Sequence, residues 1–212
     1  MKPPITIAVI GGTGKAGRYL VEELLNQGYS LKLLLRDPQK YPNPSPSVEL
    51  VAGDVREYKA LQTLMEGCQA VISTLGQPAG EPSVFSQATQ NVLRAMEAQQ
   101  IQRYILITGL TVDTPADHKN PKTQAATDWM KAHYPETTSD KQVEYQILTK
   151  SALDWTLVRL PWIQLTDEPA ETRVSLEDCA GEQISTASLA RFLIAQLSDL
   201  TYVRQAPFIA NA

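Results

Sequence analysis

The residues best placed to do chemistry lie near the start of the chain. Gly11-Gly12-Thr13-Gly14-Lys15-Ala16-Gly17 holds the spacing Gly12-x-Gly14-x-x-Gly17, and also the wider Gly11-x-x-Gly14-x-x-Gly17. Early glycines in such a run permit a tight turn and let backbone approach a pyrophosphate, while the last lets helix and strand pack closely. A helix opening at the bend aims unpaired N–H groups and a positive dipole end at the anion. The context supports this reading, because the apolar run Ile5 to Ile10 precedes the glycines and a helical repeat follows them. The competing reading is a turn that needs glycine only for its geometry. A nucleoside-triphosphate loop fails, since no Gly-Lys-Ser/Thr follows at the right spacing.

The next apolar run, Leu31 to Leu35, ends at Arg36. A protein selective for NAD usually places Asp or Glu there to hold the ribose hydroxyls. An arginine can instead pair with a 2′-phosphate in bidentate fashion. Such a charge-assisted contact is worth about 1.5–3 kcal/mol, roughly tenfold to a hundredfold in affinity. Lys15 could add a second positive group, which favours NADP over NAD. Asp37 offers the opposite reading, a carboxylate serving a ribose. Asp54-Val55 follows a third apolar run and is open to two readings. Asp54 can accept from an adenine amino group with the Val55 backbone beside the ring, or it can cap the next helix with Glu57 in capping-box spacing.

The elements that must position these residues alternate. Ile5 to Ile10, Leu31 to Leu35, Val48 to Val51, Ala70 to Thr74, Tyr104 to Ile107 and Trp155 to Arg159 read as short buried strands. Lys15 to Gln27 carries apolar residues at three- and four-residue spacing and stops at Gly28, a helix with its terminator. Helices are expected from Asp54 to Met65, Ser83 to Gln99, about Lys141 to Lys150, and Thr186 to Leu197 with Ser185 as cap. Pro38, Pro42, Pro44 and Pro46 mark an irregular connection. The polar stretch Asp113 to Asp140 reads as a loop with a short helix. The alternation implies an α/β fold, a doubly wound, mainly parallel sheet of the Rossmann type in three α/β/α layers. Ligands in such sheets bind beyond the carboxyl ends of the strands, where the candidate residues fall. A single domain over 1–212 is expected, with a small substrate-side extension over about 161–212.

Composition removes whole classes. Hydrophobic residues at 43% and charged residues at 20% argue against disorder and against a membrane protein. A net charge of -4 argues against nucleic acid held by bulk charge. Cys68 and Cys179 form no CxxC pair, and the only histidines are His118 and His133, so neither a zinc site nor a disulfide framework is expected. The two cysteines read as small buried residues. The start Met1-Lys2-Pro3-Pro4 and the short run after it lack the form of a signal peptide. The expectation is a soluble cytoplasmic protein.

Taken together these motifs resemble the short-chain dehydrogenase/reductase superfamily, in its atypical branch of NmrA-like and biliverdin reductase B (flavin reductase)-like proteins. Ile7-Ala8-Val9-Ile10-Gly11-Gly12-Thr13-Gly14 looks like the opening of that branch, Arg36-Asp37-Pro38 like its NADP-selecting strand end, and Gly53-Asp54-Val55 like its adenine motif. The resemblance implies that Thr74, Leu75 and Gly76 lie beside the cofactor ribose. It also implies that Pro161, closing the run Ser151 to Pro161, lies near the nicotinamide.

The departures are as informative. Active members of the superfamily use a Tyr-x-x-x-Lys pair, and none of the eight tyrosines here has a lysine four places on. Lys141 falls at the family's lysine position, which puts Thr137 at the tyrosine, and a threonine hydroxyl cannot serve as that acid. Thr108 or Thr111 would have to replace the usual serine. Carbonyl reduction needs a proton donor, whereas hydride transfer to a flavin, quinone or bilin spreads the charge and leaves positioning as the main effect. The resemblance therefore implies an NADPH-dependent oxidoreductase acting on a small planar substrate held near Leu110, Thr111 and Trp162; from charge and composition no nucleic-acid or membrane partner is expected. The alternative is a non-catalytic redox sensor that reports to a protein partner. His118, His133 and Tyr134 are either stand-in acids facing substrate or solvated polar residues.

Overall fold

Strand β1 (Thr6–Ile10) is apolar on both faces because helices cover both. Ala8 and Ile10 point into one core, Ile7 and Val9 into the other. The same alternation runs through β2 (Ser30–Leu35), β3 (Val48–Ala52), β4 (Ala70–Ser73), β5 (Arg103–Gly109) and β6 (Asp154–Leu160). The first core is closed by α2 (Tyr58–Met65), α3 (Phe85–Ala98) and α5 (Pro135–Lys150), the second by α1 (Gly17–Asn26) and α6 (Thr186–Ala195). Fully buried leucines such as Leu20, Leu24, Leu61, Leu64 and Leu193 anchor these helices, each contributing about 1.5–3 kcal/mol of burial. The computed structural model describes residues 5–41, 44–78 and 80–211; Met1 to Pro4 and Pro42 lie outside them.

The main sheet runs β3-β2-β1-β4-β5-β6-β10-β8, with β8 (Thr172–Ser175) antiparallel to β10 (Phe208–Asn211) and the other pairs parallel. This is the doubly wound three-layer sheet expected from the sequence. Strand order reverses between β1 and β4, the place where such sheets open a crevice. Ile10 pairs with both Leu34 and Ser73, so β1, β2 and β4 end level with one another beneath the glycine bend. The segment after Pro161 is only partly an extension. It makes a separate parallel ribbon of β7 (Trp162–Gln164) and β9 (Gln183–Ser185), but it also returns to the main sheet as β8 and β10.

Several elements depart from expectation. Asp54 does not cap α2: Glu57 N–H bonds Asp54 O first, the helix starts at Tyr58, and the Asp54 carboxylate turns back onto the Arg56 N–H at 2.9 Å. The polar stretch 113–140 is largely helical, holding α4 (Pro121–His133) and the first turns of α5. Pro121 and Pro135 open these helices instead of breaking a chain, since proline at the first helical position loses no intrahelical bond. Asn120 caps α4 by accepting from Lys122 and Thr123 N–H. Helix α3 begins at Phe85, not Ser83, and takes its cap from a distant residue. Asp140 of α5 accepts from Ser83 Oγ at 2.6 Å and from the Phe85 and Ser86 N–H groups. Ser185 caps α6 as expected, accepting from Ser188 N–H. Among the described residues no helix is long and apolar enough to cross a membrane.

Candidate functional site

A bend needs a residue that tolerates a left-handed backbone, and Gly11 supplies it with φ +77°. A Cβ there would stand 2.7 Å from the Thr74 carbonyl. Gly14 N–H closes the turn onto Gly11 O at 2.9 Å. Gly17 begins α1, and a Cβ on it would lie 2.0 Å from Gly11 O and 2.8 Å from Thr74 Oγ1. Thr74 Oγ1 donates to Ile10 O and Gly11 O, tying the end of β4 to the bend. Ala16 at the N-cap of α1 offers no side-chain acceptor, so no side chain takes the place of an anion there.

Around the bend opens a cleft of about 280 Å³. Gly11, Thr13 and Gly14 line it from β1, Arg36 from β2, Asp54 and Val55 from β3, and Thr74, Leu75 and Gly76 from β4. Nine of the predicted residues thus converge on one cavity. Lys15 is exposed and lines none of it; Ala16 and Gly17 do not line it either, though Gly17 packs against the bend. Gln77 and Pro78 also border this cleft.

The second cation beside the cleft is Arg56, which the sequence reading passed over. Arg56 Nη2 meets Glu81 Oε2 at 2.6 Å and Arg36 Nη1 meets Glu81 Oε1 at 2.6 Å, so one carboxylate bridges two guanidiniums. These two partners, Arg56 foremost, hold the Glu81 carboxyl below its usual range. Arg56 Nη1 also reaches Asp54 Oδ2 at 3.5 Å. Arg56 directly follows Gly53-Asp54-Val55 and could have been noticed. Nothing in the sequence points from Arg36 to Glu81, which stands in a Gly/Pro-rich connection.

The residues assigned to chemistry are not gathered in the same way. Thr108, Leu110, Thr111, Lys141, Pro161 and Trp162 do not line the cleft. Thr108 and Thr111 are buried, and Thr108 Oγ1 has no hydrogen-bond partner among the described residues. Leu110 packs on Cys179 and Phe208, so its side chain serves a small core. Trp162 is 78% exposed on β7. Lys141 sits 4.5 Å over the Phe85 ring near Asp140 and Glu144, and burial lowers its pKa. Thr137 stands in the first turn of α5, one turn before Lys141.

Two buried charge networks flank this region. Arg159, wholly buried, donates to Asp117 Oδ1 at 2.6 Å and to the carbonyls of Val112, Leu176 and Ala206. Lys119 Nζ donates to Leu110 O at 2.9 Å and Asp113 Oδ1 at 2.6 Å. Together they fix the backbone of 110–119. On the other side Glu144 accepts from Thr89 Oγ1 at 2.7 Å, its Oε2 has no hydrogen-bond partner among the described residues, and burial pushes its carboxyl up to about 7. His118, His133 and Tyr134 are exposed, and His133 stacks on Trp129 at 4.2 Å, which favours the solvated reading. Burial raises the Cys68 thiol to about 11 and also raises that of Cys179, so both are packing residues. Among the described residues no cluster of His, Cys, Asp and Glu could hold a metal ion.

A parallel sheet with a glycine bend, a side-chain-free helix N-terminus and paired arginines at its carboxyl edge defines a dinucleotide-binding protein. Residues 11–200 match the NAD(P)H-binding family, and the chain belongs to it. An uncharacterized chloroplastic protein of Arabidopsis thaliana is 29% identical over 52% of this chain and 43% of its own. A photosystem II assembly factor of Cyanophora paradoxa is 28% identical over 48% of this chain and 33% of its own. The matched stretches therefore span less than half of those relatives. Among solved structures, a short-chain dehydrogenase/reductase of Veillonella parvula in complex with NADP superposes with a TM-score of 0.79 at 16% identity, covering 98% of this chain and 94% of that one. An anaerobilin reductase of Escherichia coli gives 0.80 at 17% identity, covering 97% of each. The shared architecture is that of the short-chain dehydrogenase/reductase fold, in keeping with the resemblance drawn from the motifs.

Proposed function

We propose that the chain is an NADPH-dependent oxidoreductase that passes a hydride to a small planar acceptor, a flavin, quinone or bilin, without a tyrosine acid. The observation that carries this is the joining of the Gly11 bend to Arg36 and Arg56 in one cleft. The cradle fits the group: Gly11 and Gly17 let the bend pack against the end of β4 with no room for a Cβ, and the α1 N-terminus beside it has no side-chain cap. The N–H groups of the bend and of the first turn of α1 would hold the pyrophosphate. Arg36 would take the 2′-phosphate, Asp54 the adenine amino group, and Thr74 to Gly76 the ribose. The reduced dinucleotide supplies the hydride when bound. The protein's part is then to orient the two rings, because an acceptor that spreads charge needs no acid on the enzyme. Thr137 at the tyrosine position is consistent with this. The relative named for bilin reduction lends the acceptor class plausibility at the level of fold.

Titration calorimetry with NADPH and NADH, followed by NADPH oxidation assays with FMN, a quinone and biliverdin, tests the reading. Tight NADPH binding and turnover with one acceptor are expected. Zero turnover with all three despite tight binding would overturn the enzyme claim, and no binding would overturn the site.

One observation favours a second reading. Thr108 and Thr111 are buried, Leu110 is partly buried against a small core, and none of the three lines the cleft. A dinucleotide sensor acting on a protein partner would need no open wall there. It would bind NADP and NADPH with comparable affinity.

A further inference from the structure

The Arg36–Glu81–Arg56 bridge has a feature that the cofactor reading leaves unused. Each Glu81 oxygen engages a different guanidinium at 2.6 Å, and both arginines line the same cleft. The placement of Glu81 is built. Gln77 Nε2 donates to Glu81 O at 2.8 Å and to Pro78 O and Pro82 O, laying this connection along the cleft's edge. Arg36 also borders a second hollow of about 310 Å³, formed with Thr13, Leu35, Asp37 and Tyr41 on its other side. A dinucleotide's 2′-phosphate approaching Arg36 therefore meets a guanidinium that already holds a carboxylate.

We propose that Glu81 is an internal competitor for the 2′-phosphate, a carboxylate that occupies Arg36 and Arg56 in the free protein and must release Arg36 when a 2′-phosphorylated dinucleotide binds. This rests on the reading of the cleft as an NADPH site. A phosphate monoester near neutral pH carries more charge and more acceptor oxygens than a carboxylate, so the exchange runs toward the phosphate. It still forgoes a partly exposed ion pair. A dinucleotide lacking the 2′-phosphate has no claim on Arg36 and leaves the bridge intact. Glu81 thereby narrows the preference for NADPH over NADH: Arg36 creates the preference and Glu81 limits it.

The test is calorimetry on wild type and Glu81→Gln with NADPH, NADH, 2′,5′-ADP and 5′-AMP. Exposed ion pairs of this kind correspond to at most a severalfold change in affinity. The variant is expected to bind NADPH and 2′,5′-ADP about three- to fivefold tighter, and NADH and 5′-AMP within about twofold of wild type. The gain should shrink as salt rises, because the competing pair is screened. Equal or weaker NADPH binding by the variant, or an equal gain for 5′-AMP, would overturn the proposal while leaving the cleft reading in place. Failure of wild type to bind any of the four ligands would overturn both. Glu81 is partly exposed and Gln77 holds its backbone, so the variant keeps its fold, and a thermal melt checks this.

Discussion

Gly17→Ala puts a methyl group where the structure leaves no room. The added Cβ would stand 2.0 Å from Gly11 O, 2.8 Å from Gly12 Cα and 2.8 Å from Thr74 Oγ1. Two of these neighbours are backbone, so no rotamer change relieves the clash and α1 must move off the bend. Overpacking of this sort costs about 1–3 kcal/mol or more. Alanine's better helix propensity returns at most about 1 kcal/mol. A net loss of about 2 kcal/mol lowers Tm by about 4–8 °C in a chain of this size. The same displacement pulls the first-turn N–H groups away from the anion. Losing one charge-assisted hydrogen bond, about 1.5 kcal/mol or more, weakens NADPH by at least about tenfold. A thermal melt and calorimetry read the two effects separately. Gly28→Ala is the control: it is strained by φ +83° but has nothing within 4 Å, so it should cost about 1 kcal/mol and leave affinity unchanged. Unchanged NADPH affinity in Gly17→Ala, whatever happens to Tm, would refute the claim that this bend grips the cofactor.

Arg36→Glu should weaken NADPH by at least about tenfold and spare NADH, as calorimetry can read; equal loss of both would contradict its assigned role. Glu144 titrates at about 7 in the folded protein against an ordinary value of 4.5. A raised folded pKa means stability is fully present below pH 4.5 and is lost as pH rises to about 7, on the order of 3 kcal/mol. Glu144→Gln should flatten that slope in urea melts. Arg159→Met strips Asp117 of its buried guanidinium and should cost about 3–5 kcal/mol in denaturant unfolding.

Legibility tracked how local the cause was. The glycine bend, the apolar strands and the Ser185 cap depend on neighbours within a few residues, and each stands where its spacing put it. Polar content misled at 113–140, because Asn120-Pro121 and Tyr134-Pro135 are helix starts and α4 buries only Thr123 and Thr127. A helix with so little buried face leaves no hydrophobic period to read. The α3 cap from Asp140 and the Arg36–Glu81 bridge join residues far apart in the chain. No spacing rule reaches such pairs; only the finished fold brings them together.

The two halves of the site were unequally readable for a physical reason. Gripping a pyrophosphate takes backbone N–H groups in a bend, and a bend leaves its mark as glycine. Orienting a second ring takes side chains on several strands, and these carry no fixed residue type. Around Leu110 to Val112 the backbone is held by two buried cations, Lys119 on the Leu110 carbonyl and Arg159 on the Val112 carbonyl. Burying charge is tolerable only with close partners, and Asp113 and Asp117 supply them. Fixing backbone by buried ion pairs is a costly way merely to connect a strand to a helix. It makes sense where the position of a short segment matters more than its stability, and under the proposed function this segment would be one that must hold its place. The hydroxyl of Thr108, at the end of β5 just before this segment, is a buried donor and acceptor without a partner among the described residues, at a cost of about 1–3 kcal/mol.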